Sequence, residues 1–150
     1  MGKSLICGVG INDADYAITR YIHEDGKRKR VICPFYRVWH NMLTRCYSET
    51  SQIRQPTYTG CSVVPEWLYF TTFRSWMFEQ DWYGNHLDKD LLLAGNKIYG
   101  PDTCIFVSPQ VNTFFLPGRN RGRSTDIPTG VYFHEQAGKF AAVVGNLGRG

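Results

Sequence analysis

Between His86 and Asn112 the sequence compresses strand, turn, strand and helix signals into one short span, with acidic and amide side chains at both ends. Strand alternation puts His86, Asp88 and Asp90 on one face, with Leu87, Lys89 and Leu91 on the other. Gly95-Asn96-Lys97 and Pro101-Asp102-Thr103 carry turn chemistry, in which Asn96 and Asp102 serve as local hydrogen-bonding residues. Cys104 to Val107 reads as the return strand. Ser108 is then a natural helix N-cap with Pro109 at the first helical position, so Gln110, Val111 and Asn112 begin a helix that folds Asn112 back toward Asp88.

The flanking sequence completes an α+β fold. Tyr16 to His23, a turn through Glu24-Asp25-Gly26, and Lys27 to Val31 read as an N-terminal hairpin, because Asp-Gly favours the tight turn between paired strands. Tyr36, Trp39, Met42, Leu43 and Cys46 recur at helical spacing and predict a core helix to Tyr47. A second core helix is predicted from near Pro65, with Trp67, Phe70, Phe73, Trp76 and Met77 inward, and the polar stretch Ser48 to Gly60 is read as a loop. An aromatic stripe of this spacing belongs to a core rather than to a base-stacking surface.

Pro117 to Ser124 interleaves glycine with Arg119, Arg121 and Arg123 and reads as a linker. Gly130 to His134 and Lys139 to Val144 predict a last hairpin around a turn at Glu135 to Gly138. The expected organisation is a domain at 1–116, a linker at 117–129 and a C-terminal hairpin at 130–150.

A chain of 150 residues with 43% hydrophobic and 15% aromatic content is a folded protein of about one cored domain plus an appendage. The formal net charge of +4 permits an anionic partner without requiring one. Two clusters are the places where phosphate contact is expected: Lys27, Arg28, Lys29 and Arg30 on the return arm of the first hairpin, and the three linker arginines. Cys7, Cys33, Cys46, Cys61 and Cys104 include no Cys-x-x-Cys pair. Zinc at Cys46, Cys61 and Cys104 with a histidine is the sharper reading, but the spacing matches no finger or ribbon, so buried thiols in a reducing, cytoplasmic setting are expected. No apolar run predicts a signal peptide or a membrane span.

An aspartate at a strand end and an asparagine early in a following helix meet the minimal protein requirement of a hydrated magnesium ion, which keeps its other positions for water and phosphate. The runs Leu87-Asp88-Lys89-Asp90, Gly95-Asn96-Lys97, Pro101-Asp102-Thr103-Cys104 and Val111-Asn112 resemble the HNH homing endonucleases of bacteriophages, a branch of the ββα-metal nucleases. More closely, the chain is similar to a phage family labelled HNH endonuclease or AP2-domain DNA-binding protein. Gly8 to Tyr16, Cys33-Pro34-Phe35-Tyr36, Trp39 to Tyr47 and Pro56-Thr57-Tyr58 share that similarity. Gly130 to His134 with Gly138-Lys139-Phe140 resembles the first strands of an AP2 domain, without its third strand and helix.

The resemblance implies a phage protein acting on double-stranded DNA in the cytoplasm of an infected bacterium. It implies Mg2+ or Mn2+ held by Asp88 and Asn112. It also places Lys89 where the family carries its general-base histidine, and Tyr99 where it carries a middle asparagine. A lysine of ordinary pKa is protonated at neutral pH and accepts no proton. Three readings follow: His86 supplies the base from the same strand face; Lys89 binds phosphate or developing negative charge; or the site is inactive and the unit only grips DNA. A rival from another class is a protein that binds a host protein through exposed Trp67, Trp76 and Trp82.

Overall fold

Asp25 and Gly26 both take positive φ, 51° and 72°, which is the backbone a two-residue hairpin turn of the primed type requires. They join β1 (Thr19–Glu24) to β2 (Lys27–Ile32) in an antiparallel ribbon that pairs Tyr21 with Arg30 and His23 with Arg28. Tyr16 to Ile18, expected in the first arm, precede the strand. The computed structural model describes residues 4–114, 131–134 and 139–142. The chain divides into two compact units, Met1–Pro109 and Gln110–Gly150.

In the first unit α1 (Pro34–Tyr47) opens on its proline and buries Trp39, Met42, Leu43 and Cys46, the stripe that its helical spacing predicts. The next segment corrects the expected loop. Ser48 Oγ accepts from the backbone N–H of Ser51 at 3.4 Å and starts the short helix α2 (Glu49–Arg54), and a 3₁₀ turn follows at Pro56–Tyr58. A hydroxyl cap and a first-turn Glu49 were enough to start a turn of helix in this polar sequence.

After β3 (Ser62–Val63), the second core helix is broken in two. Pro65–Leu68 forms a 3₁₀ turn, Tyr69 is extended, and α3 (Phe70–Phe78) follows. The break comes from tertiary pairing: Ile11 donates its N–H to the Leu68 carbonyl at 2.8 Å and accepts from the Phe70 N–H at 3.0 Å. Asp13 adds the cap that Tyr69 lacks, accepting from the Thr71 N–H at 2.8 Å and from Thr71 Oγ1 at 2.5 Å. Caps of this kind contribute about 1 kcal/mol. Gly10, on the same N-terminal segment, lies so close to Leu43 and Trp39 that a Cβ there would overlap them.

The helices meet in a core of Trp39, Met42, Leu43, Trp67, Phe70, Phe73 and Met77, all 1% exposed or less. Trp39 Nε1 donates to the Trp67 carbonyl at 2.7 Å, so the buried indole keeps a partner. Phe70, Phe73, Trp67 and Met77 therefore face inward, as the spacing predicts.

The remaining strands of this unit are short. β4 (His86–Asp88) pairs antiparallel with β6 (Ile105–Val107), Asp88 opposite Ile105, while β5 (Ile98–Tyr99) pairs parallel with β3. α4 (Pro109–Phe114) follows β6 directly. The expected order of strand, strand and helix is present, with β5 as an addition that ties the intervening loop to the core. The second unit holds β7 (Val131–His134) paired antiparallel with β8 (Lys139–Ala142), the expected C-terminal hairpin. The fold is α+β. The expected linker at 117–129 lies outside the described residues, and the division between units falls at Pro109/Gln110. Among the described residues no helix is long and apolar enough to cross a membrane.

Candidate nucleic-acid interface

The chain leaves strand geometry immediately after Asp88, because Asp88 Oδ1 accepts from the backbone N–H groups of Asp90 at 2.8 Å and Leu91 at 2.7 Å. This is an aspartate-initiated turn. Asp90 is thus not on the strand face with His86 and Asp88 as alternation predicts. It turns to meet Lys89, whose Nζ donates to Asp90 Oδ1 at 2.7 Å, Asp90 Oδ2 at 2.8 Å and the Asn96 carbonyl at 2.8 Å.

Lys89 is 5% exposed, and an ammonium has three protons to donate. With those contacts made, the three ammonium protons of Lys89 are directed at protein oxygens, and its side chain acts as an internal clamp. Asn96 completes the clamp in the other direction. Its Nδ2 donates to the Lys89 carbonyl at 3.0 Å and the Ile98 carbonyl at 2.6 Å, and its Oδ1 accepts from the Ile98 N–H at 3.1 Å. Lys97 then fastens the far side, donating to the carbonyls of Thr57 at 2.7 Å and Thr59 at 3.3 Å. Tyr99 is buried, which pushes its phenol pKa upward, so the middle position of the motif is core.

His86 is exposed and shares its strand face with the half-buried Asp88. Asn112 stands on α4 within the second unit. For a magnesium ion the first unit offers Asp88 with one oxygen already engaged by two N–H groups. Among the described residues no three His, Cys, Asp or Glu side chains gather to hold a metal.

The β1–β2 ribbon has a different character. Residues 23–30 are all exposed, and so are Arg20 and Tyr21. From 19 to 32 it carries five basic and two acidic side chains, net +3, whereas the rest of residues 4–109 carries six basic and nine acidic, net −3. Residues 4–109 thus sum to zero only because a positive ribbon is set against a negative remainder, the negative body of this unit. The pairing places Tyr21, His23, Arg28 and Arg30 on one face and Arg20, Ile22, Lys27 and Lys29 on the other.

Across the first face Arg28 lies diagonally over Tyr21, its Cζ 3.9 Å from the ring centroid, a cation–π contact that pre-orders the guanidinium. On the second face Lys29 pairs with Glu24 at 2.8 Å, both more than half exposed, so the pair is weak and screened. Lys27 to Arg30 were visible in the sequence as a basic run. Arg20, Tyr21 and His23 carry no such local signal, although counting back through the Asp-Gly turn places the last two opposite the arginines.

The other sequence candidates resolve less favourably. Trp67 is 1% exposed. Trp76 packs on it with centroids 4.5 Å apart and stacks on Phe106 at 5.8 Å, while Trp82 lies 4.8 Å from Phe35. The three tryptophans form no exposed patch. Arg119, Arg121 and Arg123 lie outside the described residues.

All five cysteines are free. Burial, foremost, pushes the Cys46 thiol up to about 12 and the Cys104 thiol up to about 11. With a thiol-reactive disulfide reagent at neutral pH, half-buried Cys7 and Cys33 react first, and Cys46, Cys61 and Cys104 react only on unfolding, unchanged by a chelator. Fast labelling of all five, or acceleration by the chelator, would overturn this assignment. A raised thiol pKa adds stability below the unfolded thiol range of about 8.5 and loses it as pH climbs through the folded value. Stability should therefore fall from about pH 9 upward, as read by denaturant titration. Compared with known families, curated proteins and solved structures, the chain has no match.

Proposed function

We propose that the chain is a double-stranded-DNA-binding protein on an HNH-like scaffold, with the β1–β2 ribbon as its principal contact and no cleavage of its own. The charge separation carries the reading: an anionic polymer is drawn to the basic ribbon, whose charge opposes that of the rest of residues 4–109, and it gains most of its affinity there by releasing counterions. Support for the non-cleaving form comes from Lys89. At the position where the resemblance expects a general base, the chain has an ammonium buried in a loop clamp.

A second reading keeps cleavage, with Asp88 and Asn112 on Mg2+ or Mn2+ and His86 as base. It is favoured by the exposed placement of His86 on the strand face of Asp88. Incubating supercoiled plasmid with the protein and either metal distinguishes the two readings. The expected outcome is a mobility shift without nicking. Nicking that disappears in Asp88→Ala would establish the second reading instead, and absence of any shift at low salt would remove DNA binding altogether.

A further inference from the structure

Resting on the reading that this chain binds DNA, we infer that the Tyr21–His23–Arg28–Arg30 face of the ribbon lies along the major groove and reads base edges there. A two-stranded antiparallel ribbon is one of the few elements the major groove admits, and its base pairs present distinguishable donor and acceptor patterns only on that side. Arginine is the residue that pairs bidentately with guanine, and lysine acts as a point charge. The ribbon sorts the two types by face. Arg28 and Arg30 share one face, and Lys27 and Lys29 stand on the other with Arg20.

Two observations fix the orientation further. Arg28 covers a face of the Tyr21 ring at 3.9 Å, so Tyr21 positions a guanidinium and does not serve as a stacking platform for an unpaired base. Glu24 and Asp25 occupy the turn region, and a tip-first approach would drive two carboxylates among phosphates. The ribbon accordingly lies flat. Its arginine face points into the groove, and Lys27 and Arg20 are left toward the phosphate walls. Among the described residues neither Arg28 nor Arg30 has a carboxylate partner.

The test enriches sequences from a random duplex pool with the full chain, then repeats the selection with Arg28→Lys and Arg30→Lys, which keep charge but lose the planar fork. The wild type should enrich a motif containing guanine, and each lysine variant should lose one of those guanines. On the selected duplex each should bind about tenfold more weakly while its affinity for the unselected pool holds. Replacing cytosines of the selected duplex by glucosylated hydroxymethylcytosine, which fills the major groove, should abolish the preference.

Duplex binding with no enriched motif, or a motif indifferent to both substitutions and to glucosylation, overturns major-groove reading and leaves DNA binding intact. Tenfold tighter binding to a single strand of the same length also overturns it. Failure to bind any duplex overturns the functional reading itself.

Discussion

Replacing Arg20 and Lys27 together by glutamate weakens binding to an unselected duplex by about a hundredfold at roughly 0.1 M salt and flattens its salt dependence. Each phosphate contact adds about 0.9 to the slope of log affinity against log salt, so removing two lowers the slope by roughly 2. The reversal also places like charge against the backbone, which is why the loss exceeds that of simple truncation. Both residues are exposed, so the melting temperature should stay within a few degrees of wild type. Arg54→Glu is the control, since Arg54 is equally exposed but sits on α2, within the negative body. It should change affinity by no more than about threefold. Equal losses from the two variants would mean that net charge, and not the ribbon, governs binding.

The ribbon also shows which links from sequence to structure are short. Its existence and register were legible because one dipeptide, Asp25-Gly26, determines the turn, and the turn determines every cross-strand pair. The α1 stripe was legible for a similar reason, since its inward residues repeat at helical spacing over a 14-residue helix. The split at Tyr69 was not. It depends on Ile11, distant in sequence, donating and accepting across the gap between Leu68 and Phe70, and no local propensity encodes such a partner. The parallel pairing of β3 with β5 is equally non-local.

The central motif shows how far residue type can be read without geometry. Asp88, Lys89, Asp90 and Asn96 are chemically suited to metal or phosphate, and the sequence order of strands and helix was correct. Yet the same side chains can satisfy each other. Asp88 closes a turn, Lys89 and Asn96 exchange bonds with each other's carbonyls, and Asp90 neutralises the ammonium. In a loop with this many backbone groups to satisfy, local pairing competes with function for every polar atom.

Lys89→His is the substitution that separates these two uses, and it should destabilise the first unit by about 3 kcal/mol, lowering the melting temperature by roughly 10 °C. The Asp90 carboxylate is half exposed, so its ion pair adds little and water replaces the lost partner at small cost. The larger loss comes from Asn96, which is 9% exposed and gives up the donor to its carbonyl. The shorter imidazole does not span that distance and brings a polar ring into a nearly dry site. Lys89→Met keeps the aliphatic stem and relieves the cost of a buried charge, so its loss should be smaller, about 1 kcal/mol. Denaturant titration of the three proteins gives this ranking directly. The histidine variant restores the residue type that the resemblance expects at this position, so the same preparation is also assayed for nicking of supercoiled plasmid with magnesium and manganese. Lost stability with no gain in nicking is the outcome of a structural lysine. A histidine variant as stable as wild type that cuts DNA would return position 89 to the catalytic machinery.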